Sequence, residues 1–438
     1  MRRLFFILKG TLVNNRIRIL LTTTAAVAAL GVAAGARAED TISEAIGASK
    51  PIFESSLRSE SVDQFGFAEK AEALTWRNRF GFTTGEYEGW KAIVEVDSVE
   101  ALTEDYNSTL NGKTTFPNVV DPEVTEINRA QLSWAATETT TLTVGRQRII
   151  LDDARFIGNV GWRQDEQTYD AIRLDTMLGP VKVTGAYVGR VNRIQGDDKD
   201  WKSNSYLVNA SYSVNEALKF TAFNYSFDFE TTATAPTAAD IANAKLSSVS
   251  TTGLRAYGGA WVSAFKLNYV AQYAGQSPSG KNPAADFTLH ETMLEGSATW
   301  DIYTFKVNYE ILEGNGTQGF VTPLGTVHAF EGWADVFAAV GGNKTHPNGI
   351  KDLSYNLTVA GHTKPWAPWF MNPTLSVIYH DFQTDRLGQD IGTEWDAVLT
   401  AGITKNLSLM LKYADFERAN PTMPASRTKT WIMLQYKL

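Results

Sequence analysis

The chain has 438 residues, and its 40 Lys and Arg against 48 Asp and Glu give a net charge of −8 at pH 7. Such an acidic chain is a poor partner for nucleic acid, so we expect no nucleic-acid function. The sequence contains no cysteine, which excludes a disulfide framework, a thiolate metal site and lipid attachment through an N-terminal cysteine.

Residues 1–38 predict a cleaved signal peptide. A basic head is followed by an apolar, Ala-rich run at residues 19–34 and by an A-x-A cleavage site at residues 36–38. This segment holds six of the 40 Lys and Arg and none of the 48 Asp and Glu, so the mature chain has 34 − 48 = −14 charges. No later run approaches the roughly 18 apolar residues of a membrane-spanning helix. The mature chain, residues 39–438, is therefore either a soluble periplasmic protein or an outer-membrane barrel.

Alternation of apolar and polar residues favours the barrel. Phe265, Leu267 and Tyr269 alternate with Lys266 and Asn268, and other segments follow the same period of two. Runs of about ten residues with this period, ringed by aromatic residues, are typical of strands that cross a membrane, whereas soluble strands average about five or six residues. We predict an all-β protein, a transmembrane antiparallel β-barrel of about 18 strands. The predicted strands begin near Pro51, Glu72, Gly89, Val124, Thr141, Thr168, Val181, Asn204, Leu218, Val249, Ala264, Phe287, Ile302, Ile350, Pro373, Thr393, Asn406 and Thr428.

The connections between the predicted strands alternate in length. Short turns lie at one end, and longer polar loops lie at the other, at residues 102–123, 152–167, 229–248, 275–286, 314–349 and 417–427. Short periplasmic turns with long outer loops are the asymmetry expected of bacterial outer-membrane barrels. The final strand ends with an apolar residue at every second position up to Leu438, which resembles the signal read by the barrel assembly machinery. We therefore expect that machinery as a partner during biogenesis.

The loop at residues 314–349 is too apolar to be left in water. Its glycines argue against a long helix, and Pro323 argues against a central strand. We predict that the loop folds into the lumen and narrows it, and a short helical lid on a soluble sheet is the alternative. The residues expected in this constriction are Phe320, Thr322, Pro323, His328, Phe330, Trp333, Asp335 and Phe337.

Residues that alternate with the lipid-facing ones should line the lumen, and many of them are charged. A basic wall opposite an acidic wall would create a transverse field, whereas Arg–Glu pairs would only brace the barrel. Arg146 and Arg148 share the parity of the apolar Leu142 and Val144, so their place in the lumen requires a β-bulge. The predicted basic residues are Arg58, Arg77, Arg79, Arg129, Arg146, Arg148, Arg173 and Arg190, and the acidic ones are Glu291, Glu295, Glu310, Glu394 and Asp396.

The segment GRQRIILDDARFIGNVGWRQ at residues 145–164, together with residues 73–79, 168–174, 320–337 and 350–352, resembles the alginate export proteins of bacterial outer membranes. The resemblance implies an eighteen-stranded monomeric porin with an arginine-lined conduit, narrowed by a loop, for an anionic uronate polymer. The residues that match the family motifs are Arg77, Arg79, Arg129, Arg146, Arg155 and Arg163. The expected partners are outer-membrane lipid and an anionic polysaccharide or small anionic solute.

Other functions have less support in the sequence. The five histidines are scattered without metal-ligand spacing, and there is no G-x-S-x-G motif, so no catalytic site, metal or cofactor is predicted. A general porin, or one with a different substrate selectivity, for small nutrients is the first alternative. A barrel enzyme that acts on outer-membrane lipids, with His380 beside Asp381, is the second.

Overall fold

The computed structural model describes residues 40–284, 286–338, 346–361 and 370–438. The predicted signal peptide and residues 339–345 of the predicted inward loop lie outside the described residues. The strands are β1 (Lys50–Gln64), β2 (Ala71–Thr83), β3 (Trp90–Ala101), β4 (Val124–Thr137), β5 (Thr140–Gln147), β6 (Thr168–Leu178), β7 (Val181–Asn192), β8 (Trp201–Asn215), β9 (Leu218–Ser226), β10 (Phe229–Thr231), β11 (Val249–Val262), β12 (Phe265–Pro278), β13 (Leu289–Trp300), β14 (Tyr303–Leu312), β15 (Ile350–Ala360), β16 (Met371–Gln383), β17 (Asp390–Gly402), β18 (Leu407–Arg418) and β19 (Arg427–Lys437). Helix α1 (Ile42–Gly47) precedes β1, and helix α2 (Ala238–Leu246) lies between β10 and β11.

The strands form one closed antiparallel sheet. Apart from the short β10, each strand pairs with its neighbour, and β1 pairs with both β2 and β19, which closes the barrel. β9 and β10 share one position in the wall, because both pair with β8. The wall therefore has 18 positions, as predicted, and each predicted start lies within three residues of an observed one. Closure leaves no sheet edge with unpaired backbone groups in the lipid.

The two faces of the wall differ in polarity as the period of two predicts. On β12, Phe265, Leu267, Tyr269 and Tyr273 are exposed, whereas the alternate Gln272 is buried in the interior. Stacked aromatic pairs such as Trp90 with Trp134, whose ring centroids are 5.5 Å apart, lie on the outer face near the end that carries the chain termini. None of the helices in the described part of the chain is both long and apolar enough to span a membrane.

Two loops fold into the lumen, and both start at the end of the barrel opposite the termini, which we call the outer end. The first inward loop (residues 148–167) joins β5 to β6, and the second inward loop, which is described over residues 313–338 and 346–349, joins β14 to β15. The inward position of the second loop was predicted. The sequence analysis grouped residues 152–167 with the long loops of the outer end, which is confirmed, but it did not predict that this loop as a whole folds inward. The buried apolar residues of the two loops are Ile149, Leu151, Phe156, Ile157, Phe320, Leu324, Val327, Ala334 and Phe337.

A candidate anion recess above two paired loops

The two inward loops lie side by side. Ile157 and Leu324 form a parallel β-bridge, and the N–H of Gly158 donates to the carbonyl of Leu324 at 2.8 Å. This approach needs glycine, because a Cβ on Gly158 would lie 2.3 Å from Oγ1 of Thr326, and one on Gly325 would lie 2.4 Å from a carbonyl oxygen of the first loop. The loops therefore pack as one body inside the barrel.

Arg155 joins this body to the wall. Its side chain is 1% exposed, its Nε donates to Oε1 of Glu310 on β14 at 2.6 Å, and its Nη2 pairs with Glu331 of the second loop. The guanidinium also lies 4.6 Å from the ring centroid of Phe330. Burial opposes the charge, but the carboxylates of Glu310 and Glu331 outweigh it and raise the pKa of Arg155. Arg155 therefore stays charged and holds both loops in place.

The predicted basic wall of the early strands is neutralised by carboxylates. Arg79 donates to Oδ1 of Asp97 at 2.6 Å and lies 3.1 Å from Glu166 of the first loop. Burial raises the pKa of Glu166, but Arg79 and Arg148 outweigh this and bring it down to about 2. The remaining pairs are Arg77 with Glu54 at 3.3 Å, Arg129 with Glu95 at 2.6 Å, and Arg148 with Glu95 at 3.1 Å. In this part of the wall the bracing alternative describes the arginines better than an unpaired basic wall.

The sequence analysis did not assign the carboxylates of these pairs. Glu54 shares the inward parity of Arg58 along β1, and Glu95 and Asp97 alternate with outward residues of β3. The β2–β3 register places Arg79 directly opposite Asp97. Counting outward from the short turn between those strands would have found this pair.

A second cluster ties the first inward loop to β1 and β19. Arg163 donates to Oε2 of Glu60 at 3.1 Å, and Lys429 lies 3.1 Å from Glu60 and 3.2 Å from Asp335. Arg58 is 1% exposed and pairs with Asp121 of the loop between β3 and β4. Three loops therefore meet at this side of the lumen.

His328 of the second inward loop lies between a cation and an anion. Lys412 of β18 donates from Nζ to Nε2 of His328 at 2.7 Å, and Nδ1 of His328 lies 2.9 Å from Asp335. The imidazole stacks on Trp162 at 4.2 Å between ring centroids, and Nζ of Lys412 lies 3.6 Å from the ring centroid of Trp333. Burial, which outweighs the attraction of Asp335, and the charge of Lys412 hold the pKa of His328 well below its ordinary value of 6.5. The ring is therefore neutral, with its proton on Nδ1.

The depressed pKa of His328 predicts a stability loss in acid. The unfolded chain binds this proton more readily than the folded one, so stability present above about pH 6.5 is lost as pH falls toward the lower folded pKa. We expect the melting temperature in detergent to fall from pH 7 to pH 5, and to fall less in His328→Gln, which has no group that titrates there. An equal fall in both proteins would show that His328 does not contribute.

Two predicted lumen arginines lie on the other face of the wall. Arg146 shares the face of β5 with the exposed Val144, and no bulge separates them, so the predicted inward position of Arg146 is wrong. Arg190 lies opposite the exposed Lys202 on β8, and its predicted inward position is wrong because a register shift between Val188 and Arg190 reverses its face. Arg148 does turn inward, because β5 ends one residue before it.

The predicted acidic wall consists of residues with separate partners. Glu394 accepts from the backbone N–H of Ala334 at 2.6 Å, and Asp396 accepts from that of Trp333 at 3.1 Å, so both hold the second inward loop. Of the other predicted acidic residues, Glu291 pairs with Gln272 at 2.9 Å and Glu295 with Lys306 at 2.9 Å. Arg173, from the predicted basic set, pairs with Asp175 at 2.8 Å. Within the described residues, no three His, Cys, Asp or Glu side chains are arranged to hold a metal ion.

A recess lies above the paired loops, between them and the loops at the outer end. Its cavity volume is about 120 Å³. Among its lining residues are the cations Arg163, Arg193, Arg427 and Lys429, the carboxylate of Asp335, and the apolar side chains of Val160, Trp162, Ile194, Pro323 and Val327. Of the predicted site residues, the structure thus brings Arg163, Pro323, His328 and Asp335 together here. Arg193, Arg427 and Lys429 were not predicted, although the parity of β19 places Lys429 on the face of the buried Trp431.

A closed barrel of 18 wall positions, with an apolar outer face and loops folded into its lumen, defines an outer-membrane porin. A model of the alginate export family matches residues 56–320, which is more than half of the chain, and the protein therefore belongs to that family.

Solved porins share the fold at low sequence identity. OpdK of Pseudomonas aeruginosa with vanillate has a TM-score of 0.64 and 14% identity. OccK2 (OpdF) of the same organism, in complex with glucuronate, has a TM-score of 0.63 and 12% identity. OccAB4 of Acinetobacter baumannii has a TM-score of 0.64 and 12% identity. Each match covers 89% of this chain and 98% of the other chain. None of the curated proteins matches the sequence.

Proposed function

We propose that the protein is a channel for anionic solutes of the sugar-acid type, such as a uronate, and that it carries them without chemical change. The observation that carries this proposal is the recess, where four cationic side chains and a single carboxylate line the cavity. Membership in the alginate export family and the fold shared with a porin in complex with glucuronate agree with it.

Residues of the outer loops, such as Thr109 and Gln195, line the recess, so a solute that arrives from outside the cell would meet it early in its path. Charge interactions are stronger in such a partly enclosed site than in bulk water, which would concentrate anions at the mouth. Arg155 and its partners Glu310 and Glu331 are almost fully buried and hold the paired loops in the lumen, which narrows the path for a solute.

Bilayer measurements test the selectivity. In a salt gradient across a planar bilayer, the reversal potential should correspond to a preference for anions over cations. Proteoliposomes should also admit glucuronate faster than glucose, a neutral molecule of similar size. A cation-selective potential, or equal rates for the two solutes, would contradict the proposal.

The geometry does not support the alternative of a barrel enzyme that acts on outer-membrane lipids. His380 lies inside the barrel, 6% exposed, with Nδ1 2.9 Å from Asp352. A lipid in the surrounding membrane would meet the opposite face of this strand, so no observation favours that activity.

A further inference from the structure

Arg427 differs from Arg155 and Arg163, two arginines of the first inward loop, in the nature of its partners. Its Nε donates to Oε1 of Gln64 at 2.9 Å, and its Nη1 donates to the carbonyl oxygens of Ala334 and Asp335 at 2.9 and 3.1 Å. All three acceptors are uncharged. No carboxylate of the described residues lies within ion-pair distance of the guanidinium, whereas Arg163 and Lys429 in the same recess are both paired with Glu60.

The Nη2 atom of Arg427 is left available. A guanidinium has five N–H donors, and the three bonds above use one on Nε and two on Nη1. Within the described residues Nη2 has no hydrogen-bond partner, and it is not among the atoms shielded from solvent. Arg427 itself lines the recess. Two charged N–H donors are therefore held in a fixed orientation, which suits a carboxylate oxygen.

The remaining lining and the volume of the recess limit the chemistry and the size of the molecule that carries this carboxylate. Val160, Pro323 and Val327 of the inward loops form apolar parts of its lining, and Ile194 adds another from the loop between β7 and β8. An ordered water needs roughly 10–15 Å³ of such volume. The cavity volume of about 120 Å³ thus has room for about ten water-sized groups, which is the size of one small acid.

From these observations we infer that the recess binds one small monocarboxylate at a time, with its carboxylate on Arg427 and a flat apolar or C–H-rich face against the apolar lining. This inference rests on the proposed function and names its substrate class more closely. A sugar acid presents C–H groups on one face of its ring, and an aromatic acid presents its ring face, so both have the required chemistry. A polymer of linked uronates exceeds the recess.

Binding to the whole barrel in detergent, measured by titration calorimetry, tests the inference. The probes are glucuronate, benzoate, glucose as the neutral match, and an alginate oligomer of about ten residues. Arg427→Gln removes the charge, and Ile194→Trp fills the cavity without a change of charge. The control is Lys202→Gln, which removes an exposed cation on the outer face of β8.

We expect glucuronate, benzoate or both to bind with one site per barrel. Binding of glucuronate identifies sugar acids as ligands, and binding of benzoate identifies aromatic acids. Arg427→Gln and Ile194→Trp should each weaken that binding at least tenfold, and Lys202→Gln should leave it unchanged. Binding that both recess variants retain, no binding of either acid, or tighter binding of the oligomer would each overturn the inference. The reversal potential in bilayers distinguishes this failure from a failure of the proposed function. A preference for anions would leave the proposed function in place, and the absence of that preference would contradict it.

Discussion

Deletion of residues 321–334 should raise the single-channel conductance several-fold. This segment of the second inward loop contains buried side chains such as Leu324, Val327 and Ala334, which pack inside the barrel. The resistance of a channel is concentrated where it is narrowest, so removal of material from the lumen should have a large effect. The barrel should still fold, because its strands pair in a closed ladder to which this segment contributes no strand.

A matched deletion separates this effect from general damage. Residues 233–245 lie in the loop between β10 and β11 and include most of α2, and their removal shortens an outer loop by a similar length. This control should keep the conductance of the intact protein. Both variants should migrate as heat-modifiable species on gels, as folded barrels do. Unchanged conductance in a folded deletion of residues 321–334 would mean that this segment does not limit the current.

Much of this architecture could be predicted from the sequence, because a period of two fixes the face of each residue once a strand is assigned. The rule assigned a residue to the wrong face where the strand irregularities were misjudged. Arg146 was moved inward by an assumed bulge, although the plain parity of β5 places it outside. Arg190 follows a real irregularity, a register shift between Val188 and Arg190, which the sequence does not show.

The two inward loops differ in how clearly their sequences predict burial. The second loop has a long apolar segment, which predicts burial. In the first loop, Ile149 and Phe156 are interspersed with Asp152, Asp153 and Arg155, so the composition suggests a solvated loop. Arg155 is buried because Glu310 and Glu331 neutralise it, and residues 155 and 310 are far apart in the chain. Such pairing is a property of the folded barrel, which composition and periodicity do not report.

Arg155→Met should release the inward loops from the wall. The change keeps much of the side-chain volume but leaves Glu310 and Glu331 buried without their cation. Removal of one partner from a buried ion pair costs roughly 3–5 kcal/mol, because the remaining charge has lost its compensation. The strands of the wall do not depend on Arg155, so the cost should appear as undocking of the loops. We expect faster proteolysis within residues 148–167 and a higher, noisier conductance.

A compensated variant distinguishes lost charge balance from lost packing. In the triple variant Arg155→Met, Glu310→Gln and Glu331→Gln, the unpaired carboxylates are gone, and neutral side chains of similar size remain. Replacement of a complete buried ion-pair set by neutral residues is often tolerated, so the triple variant should resist protease better than Arg155→Met alone. If the triple variant is cleaved as fast as the single one, the guanidinium acts through its hydrogen bonds and its contact with Phe330, 4.6 Å away, and charge compensation is not what keeps the loops docked.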